Sequence, residues 1–216
     1  MHAVFGLKEF VFLLSGLKWT ILLSAIAFTG GGIVGLLVAV ARTAQNAWLR
    51  RAMIFYIGVF QGTPLLMQLF VVYYGLGLIG IQVPAWAAVT MAFTLNASAF
   101  LGDIWRGAIQ ALPRGQTEAA TALGLPMISR MRDVILPQAL RIAQPATVGY
   151  AVQLIKGTSL AAIVGFIEVA RAGQIISNQI FAPILVFTVV GAIYFALCWP
   201  LSLYSARLEA KYAASR

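Results

Sequence analysis

Residues 19–41 read WTILLSAIAFTGGGIVGLLVAVA, an apolar run without a charged side chain. A run of this length is sufficient for one helix of ~20 residues to cross a lipid bilayer. The whole chain of 216 residues has the same character, since 61% of its residues are hydrophobic and 10% are charged, whereas soluble domains carry about 25% charged residues. The composition excludes an ordinary soluble globule and a disordered chain, and it predicts an integral membrane protein.

Charge-free windows downstream predict four more membrane helices. Residues 52–102 carry no charge but are too many for one helix, and the glycines and proline of 75–84 mark a turn that divides them. Residues 142–167 are apolar apart from Lys156, and 172–206 are free of charge. We therefore predict an all-α membrane protein made of a single transmembrane domain, 1–216. Its five transmembrane helices are expected at about 19–41, 53–74, 85–103, 143–165 and 183–204, with residues 3–17 lying along the outer surface.

The basic residues predict how the chain is oriented. Of the 15 Lys and Arg residues, eleven fall in the loops 42–52 and 104–142 and in the tail after 204, and three fall on the opposite side. Because loops rich in Lys and Arg stay in the cytoplasm, the N-terminus is expected outside and the C-terminus in the cytoplasm. The net charge of +9 is then a topology signal. The sequence contains no basic stripe with interleaved aromatic residues, which is typical of nucleic-acid binding, so we expect no nucleic-acid partner.

Two sequence motifs resemble nucleotide-binding loops but lack the right context. The G-x-G-x-x-G pattern of residues 30–35 lies inside an apolar span, where Gly31 and Gly35 have the G-x-x-x-G spacing of a close helix-packing face. The sequence IKGTS at 155–159 lacks the upstream glycine of a phosphate-binding loop. With one cysteine, one histidine and no nucleophile paired with a base, we predict no catalysis, no metal site and no cofactor in this chain.

The longest polar loop, about 106–141, predicts a helical elbow between the third and fourth membrane helices. Its alanine-rich first half favours a helix that Gly124 can end and Pro126 prevents from continuing. A second short helix can start at Ser129 and is expected to end or kink by Pro137. The result would be a helix–turn–helix held against the membrane surface.

The elbow contains a pattern that resembles a known family. Small side chains at Ala119 and Ala120 would let another protein approach, and Glu118 adds a charge near a helix start. Residues 118–120, followed at fixed spacing by Gly124, Val134 and Leu136-Pro137, resemble the EAA signature of permease subunits of bacterial ABC importers, with Val134 in place of the usual isoleucine. The segments GTPLLMQ at 62–68, DIWRG at 103–107 and LIKGTSL at 154–160 extend the resemblance over most of the chain and indicate the polar amino-acid uptake branch. Two departures are Gln61, where arginine is common, and Gly157, where aspartate is common.

The resemblance implies a multi-pass protein of the bacterial inner (plasma) membrane that forms a translocation path for polar amino acids. Cytoplasmic ATP-binding subunits, which would hold the ATP and Mg, are implied to dock on the elbow. Since five helices enclose a path poorly, a second permease chain, identical or related, is expected, and an extracytoplasmic substrate-binding protein would deliver the amino acid. The implied ATPase-coupling residues are Glu118, Ala119, Ala120, Gly124, Leu136 and Pro137.

Two other functions stay open from the residues alone. An ion-gradient-driven carrier or channel subunit would not need ATP, although an odd helix count without internal repeats argues against it. A membrane scaffold that docks a cytoplasmic partner and moves nothing is compatible with the composition.

Lys156 is the one charge predicted inside a membrane helix. With the helix starting near Pro145, Lys156 would lie about 16 Å along it, where a charge costs at least ~2.5–3.5 kcal/mol unless it faces a cavity or a partner charge. One hypothesis is a path residue that meets a substrate carboxylate, and the other is a structural lysine paired with Glu168 or a backbone carbonyl. The path hypothesis groups Lys156 with Gln153, Thr158 and Ser159.

Polar residues in the second and third helices are further path candidates. Asn96 and Ser98 are predicted at membrane depth, where hydrogen bonding between helices explains either of them better than a path role does. Gln61, Thr63 and Pro64 interrupt the second helix, and a broken helix at depth is tolerated only beside a cavity or other protein.

Overall fold

The structure, a computed structural model, describes residues 5–44 and 46–213, and the elements within those ranges are helices without a strand. Four helices are long and apolar enough to cross a membrane. A further pair passes the same test together but is bent by 102° at residues 63–64. The expected five spans are therefore present only if the bent pair is one span. The helices are α1 (Leu7–Thr43), α2 (Ala47–Gly62), α3 (Leu65–Leu78), α4 (Ala85–Gln110), α5 (Arg114–Ala122), α6 (Met127–Val164), α7 (Val169–Ile180) and α8 (Pro183–Ala213).

The first membrane helix is longer than predicted. It begins at Leu7 instead of near residue 19, so the expectation that 3–17 lies along the outer surface is wrong from Leu7 onward, and residues 3–4 lie outside the described part. In the same way α4 continues to Gln110 and α8 to Ala213, both beyond the predicted ends. Charge-free windows locate only the membrane-embedded part of a helix, because charged side chains outside the bilayer do not stop the backbone from staying helical.

The fourth helix corrects two boundaries. The helix does not end at Pro137 as expected, since a helix that starts at Met127 runs through this proline to Gly157 and ends in 3-10 turns, Thr158–Val164. Residues 130–135, directly before the proline, form a π-helical segment. Such a wider turn accommodates a residue that lacks an N–H. The predicted start of the helix at 143 is therefore wrong, and Pro145, from which the position of Lys156 was reckoned, lies inside the helix.

The short helix α7 was absent from the sequence prediction. It is amphipathic, with Val169, Ala172, Ile176 and Ile180 buried on one face. Its N-cap is Glu168, whose carboxylate accepts hydrogen bonds from the backbone N–H groups of residues 170 and 171. The charge at 168 followed by an apolar period of three to four residues was the available signal.

Helix α4 lies at the centre of the molecule and packs against α1, α2, α3 and α6. On α1, Gly31 packs on Ala97, and a Cβ added at Gly35 would lie 3.0 Å from the Ser98 carbonyl oxygen. The predicted small-residue packing face of α1 is therefore confirmed. Since residue numbers rise together along this contact, α1 and α4 run parallel.

The remaining spans alternate in direction. Trp105 of α4 donates a hydrogen bond to Thr147 of α6, while Phe93 lies near Gly157, so these two helices are antiparallel. Ser205 of α8 donates a hydrogen bond to the carbonyl of Pro145 on α6, and Tyr194 of α8 contacts Thr158 on α6. Since residue numbers fall on α8 as they rise on α6, these two helices are antiparallel. The loops 42–52 and 104–142 and the end of α8 consequently meet at one end of the molecule, where most Lys and Arg residues lie.

Candidate functional site

The elbow forms as a helix, a turn and a second helix. Helix α5 ends at Ala122, and the next turn uses Gly124 at φ +73°, a left-handed conformation that favours glycine. Pro126 caps the start of α6. The predicted order of helix, glycine stop and proline is confirmed, while the second arm differs because it is the first part of a membrane-spanning helix.

The implied coupling residues do not share one surface. Glu118 and Ala119 are exposed on α5, whereas Ala120 is buried, so only one of the two adjacent alanines can meet another protein. Glu118 lies in the second turn of α5 and not at its start, which corrects the expected charge position. On α6, Leu136 is half-buried and Pro137 is exposed.

Polar pairs that the sequence prediction missed hold the two arms of the elbow together. The guanidinium of Arg130 on α6 donates to Thr121 on α5 at 2.7 Å. Farther along, the amide of Gln138 donates to Gln116 at 3.0 Å. These bonds fix α5 against the first part of α6, a helix long and apolar enough to cross a membrane.

The elbow also presents apolar side chains at its surface. Leu123 is 79% exposed and Ile128 80% exposed, on either side of the Gly124 turn, and Met127 beside them is exposed as well. This apolar tip lies where α5 ends and α6 begins, on the same loop as Arg114 and Arg130. Exposed apolar surface rimmed by polar residues is typical of an interaction site.

A buried hydrogen-bond network closes the break between α2 and α3. The break frees carbonyl groups at the end of α2, because Pro64 has no N–H and the chain turns there. The side-chain amide of Gln68 donates to the carbonyl of Phe60 at 2.8 Å and to both the carbonyl and hydroxyl oxygens of Thr63 at 3.0 Å. The predicted interruption is confirmed, and Gln68 supplies the donors that a broken helix at membrane depth needs.

The network extends to two neighbouring helices. Asn96 of α4 donates to the Gln68 side-chain oxygen at 3.1 Å and to the Phe60 carbonyl at 3.4 Å. Tyr150 of α6 donates to the Asn96 side-chain oxygen at 3.2 Å. All three side chains are buried. Asn96 thus makes hydrogen bonds between helices, which the sequence analysis favoured over a role in the path.

Ser98 has the same interhelical character. It is fully buried, and its hydroxyl lies 2.6 Å from the hydroxyl of Tyr56 on α2. Gln61 and Thr63, in contrast, are exposed at the break. Within this group of path candidates, Gln61 and Thr63 lie on a surface while Asn96 and Ser98 lie in the interior of the chain.

The candidates of α6 divide in the same way. Gln153 and Lys156 are exposed and lie three residues apart on one face, and the Ser159 hydroxyl donates to the Lys156 carbonyl at 2.9 Å. Thr158 is fully buried and bonds to the carbonyl of Ile155. The α6 group is linked to the break through Gly157, where an added Cβ would lie 3.5 Å from the side chain of Leu65.

Glu168 does not pair with Lys156. Its carboxylate is fully buried and accepts hydrogen bonds from Tyr194 at 2.6 Å, from Thr20 at 3.5 Å and from the start of α7. The two ion pairs among the described residues, Arg106–Asp103 and Arg132–Asp133, do not involve Lys156 either. The hypothesis that Lys156 is a structural lysine paired with the carboxylate of Glu168 is therefore not supported.

Sequence reasoning considered Glu168 only as a partner for Lys156, and it missed three polar groups that lie between helices, Gln68, Tyr150 and Tyr194. Gln68 had a visible signal, as it is the one amide between Leu65 and Ile81. The tyrosines had none, since tyrosine is equally typical of membrane packing and interfaces.

Comparison with known proteins places this geometry among transporters. Residues 31–213 match the family of binding-protein-dependent transport system inner membrane components. The chain is 35% identical over 208 residues to the probable amino-acid ABC transporter permease protein YckA of Bacillus subtilis, covering 96% of this chain and 92% of the relative. It is 31% identical over 206 residues to the arginine transport system permease protein ArtQ of the same organism, covering 95% and 94%.

Two solved structures share the fold. A crystal structure of an amino acid ABC transporter with histidines superposes with a TM-score of 0.86 at 32% identity, covering 94% of this chain and 95% of the other. An inward-facing MetNI methionine ABC transporter gives a TM-score of 0.79 at 22% identity, covering 95% and 99%, which shows a common fold alone.

Proposed function

Because this chain belongs to the family of binding-protein-dependent transport system inner membrane components, we propose that it forms the path for a polar amino acid through an ATP-driven importer. The chain is an ABC transporter permease and a multi-pass inner membrane protein. Relatives named for amino acids, arginine among them, support the substrate class.

The elbow is the observation that carries the ATP-driven mechanism. It offers exposed Glu118 and Ala119 together with the apolar Leu123 and Ile128, and its second arm continues without interruption into α6. A cytoplasmic ATPase subunit bound at this tip would move a membrane helix directly. ATP and Mg belong to that subunit, and this chain contributes the docking surface and the path.

The other partners follow from the architecture. One chain leaves Gln61, Thr63, Gln153 and Lys156 on open surfaces, so a second permease chain, identical or related, is needed to enclose them. A substrate-binding protein would deliver the amino acid on the side opposite the elbow. The N-terminus would then lie outside and the C-terminus in the cytoplasm, in agreement with the distribution of Lys and Arg.

Reconstitution tests the proposal against a carrier driven by an ion gradient and against a scaffold. The full complex is placed in vesicles with labelled arginine, glutamine or histidine, and uptake is measured with ATP, without ATP and with an imposed ion gradient. Uptake is expected only with ATP and the ATPase subunits. Uptake that persists without ATP would establish the carrier, and assembly without any uptake would establish the scaffold.

A substitution on the elbow tests the docking surface. Ala119→Trp adds a large side chain to an exposed position of α5, so the fold should survive while the ATPase loses close approach. We expect a loss of about tenfold or more in ATPase binding, equivalent to ~1.4 kcal/mol. Binding is measured by co-purification and titration.

The matched control is Ala210→Trp, on an exposed alanine at the same end of the molecule but on α8. It should bind the ATPase as the unchanged chain does. Equal binding by both variants would remove Ala119 from the docking surface.

A further inference from the structure

The broken helix α2–α3 is connected by hydrogen bonds to the helix that carries the elbow. The connection runs from Tyr150 on α6 through Asn96 on α4 to Gln68 on α3, with donor–acceptor distances of 3.2 and 3.1 Å. Gln68 then holds the freed carbonyl of Phe60 and both oxygens of Thr63. Each step is a single directional bond in a buried setting, where an unmade bond is costly.

Helix α6 carries both the elbow arm and the tyrosine that begins this hydrogen-bonded connection. One end of α6 is the elbow arm at Met127, and Tyr150 lies farther along the same helix. A second point of approach lies beyond it, where a Cβ added at Gly157 would lie 3.5 Å from the side chain of Leu65, the first residue after the break. Because Tyr150 and Gly157 lie on the same continuous helix as the elbow arm, a displacement of the elbow along α6 would move both positions relative to the break.

The break is the element suited to change shape in response. Its two helices meet at 102° over residues 63–64, and side-chain donors hold its carbonyls where continuous helical bonds are absent. Because continuous helical bonds are absent at residues 63–64, the angle between α2 and α3 is set by side-chain bonds and can change without unwinding either helix. The exposed Gln61 and Thr63 would be re-aimed by any such change.

We infer that Tyr150, Asn96 and Gln68 are positioning residues that couple elbow movement to the shape of the break, and hence ATP hydrolysis to substrate passage. This inference rests on the proposed function, since it requires an ATPase at the elbow. It assigns the three side chains a role in coupling in addition to their role in packing. The signature of such a role is a change in substrate moved per ATP hydrolysed.

Tyr150→Phe is the most selective test. It removes the hydroxyl that bonds Asn96 and keeps the ring, which stacks on Phe100 at a centroid distance of 5.4 Å. In the reconstituted full complex we expect ATP hydrolysis to continue while uptake per ATP falls by about three- to tenfold, the effect of losing one buried hydrogen bond. The thermal midpoint and the yield of complex should stay close to those of the unchanged complex.

Tyr56→Phe is the matched control. Its hydroxyl also makes interhelical bonds, to Ser98 and to the carbonyl of Leu95, but these connect α2 with α4 and do not reach α6. Uptake per ATP should therefore stay within about twofold of the unchanged complex. A loss as large as that of Tyr150→Phe would overturn the inference.

The other outcomes are equally decisive. If Tyr150→Phe leaves uptake per ATP unchanged, or lowers uptake, hydrolysis and thermal midpoint together, the hydroxyl only stabilises the fold and the inference is wrong. These results presuppose ATP-dependent uptake by the unchanged complex. Its absence would instead remove the proposed function, and the inference with it.

Discussion

At the scale of single residues, Lys156 shows which properties of a charge in an apolar run the sequence can predict and which it cannot. The sequence identified it as the one lysine in that run, and the structure places it on an exposed face with Gln153. Its depth could not be predicted, because that reckoning used Pro145 as a helix start and the helix passes through this proline. Its lack of a carboxylate partner within the described residues keeps the path hypothesis in place.

Lys156→Met tests that hypothesis. Removing the charge should lower uptake about tenfold or more while assembly with the ATPase stays intact, because the side chain is exposed and makes no described ion pair. Lys156→Arg, which keeps the charge, should restore most of the uptake. Initial uptake rates in vesicles over a range of substrate concentrations provide the measurement.

The control is Lys18→Met, which removes an exposed lysine from α1 instead. Its uptake should equal that of the unchanged chain. Unchanged uptake by Lys156→Met would exclude Lys156 from the path.

At the scale of helices, success and failure of prediction have separate physical causes. The existence of five apolar segments, the Gly124 stop and the break near Pro64 followed from local chemistry, because each depends on adjacent residues alone. The continuity of α6 through Pro137 did not, since local rules treat a proline as the end of a helix, whereas here a π-helical segment precedes it and the helix continues. Gln68 belongs to the same class, because its bonds join residues that only the fold brings together.

The contact between α1 and α4 yields a prediction at this scale. An added Cβ at Gly31 would overlap the side chain of Ala97, so Gly31→Ala must push two parallel helices apart. We expect a loss of about 1–3 kcal/mol in the free energy of unfolding, as for other overpacked cores. Thermal unfolding in detergent, followed by circular dichroism, measures it.

Gly191→Ala in α8 is the matched control, because nothing lies within 4 Å of its added Cβ. This change should be neutral, or stabilising by about 0.5–1 kcal/mol through helix propensity. Equal destabilisation by both variants would mean that the close contact on α1 does not limit stability.

At the scale of the whole molecule, the charge pattern and the helix directions provide two independent arguments for one topology. The parallel α1 and α4 and the antiparallel α6 and α8 bring the basic loops to one end, although the counts of Lys and Arg contain no information on helix direction. If the +9 charge belonged to a soluble protein, nothing would explain why the basic loops lie at one end of the molecule. Helix directions alone do not identify which end faces the cytoplasm, because they are unchanged if the molecule is inverted, so the expected orientation rests on the distribution of Lys and Arg.

Cysteine labelling of intact spheroplasts decides that orientation. In a Cys198→Ser background, Leu78→Cys places a thiol at the end of α3, at a position 89% exposed, and Lys211→Cys places one near the end of α8. A membrane-impermeant maleimide should label Leu78→Cys in intact spheroplasts and Lys211→Cys only after lysis, because arginine-rich loops are retained in the cytoplasm. The unlabelled background protein and preserved uptake serve as controls. The reverse pattern would show that the orientation is inverted. Because α1 and α4 are parallel, the chain between them must cross the membrane an odd number of times, and the bent pair α2–α3 is the segment that would cross. Labelling of both thiols from one side would contradict this crossing.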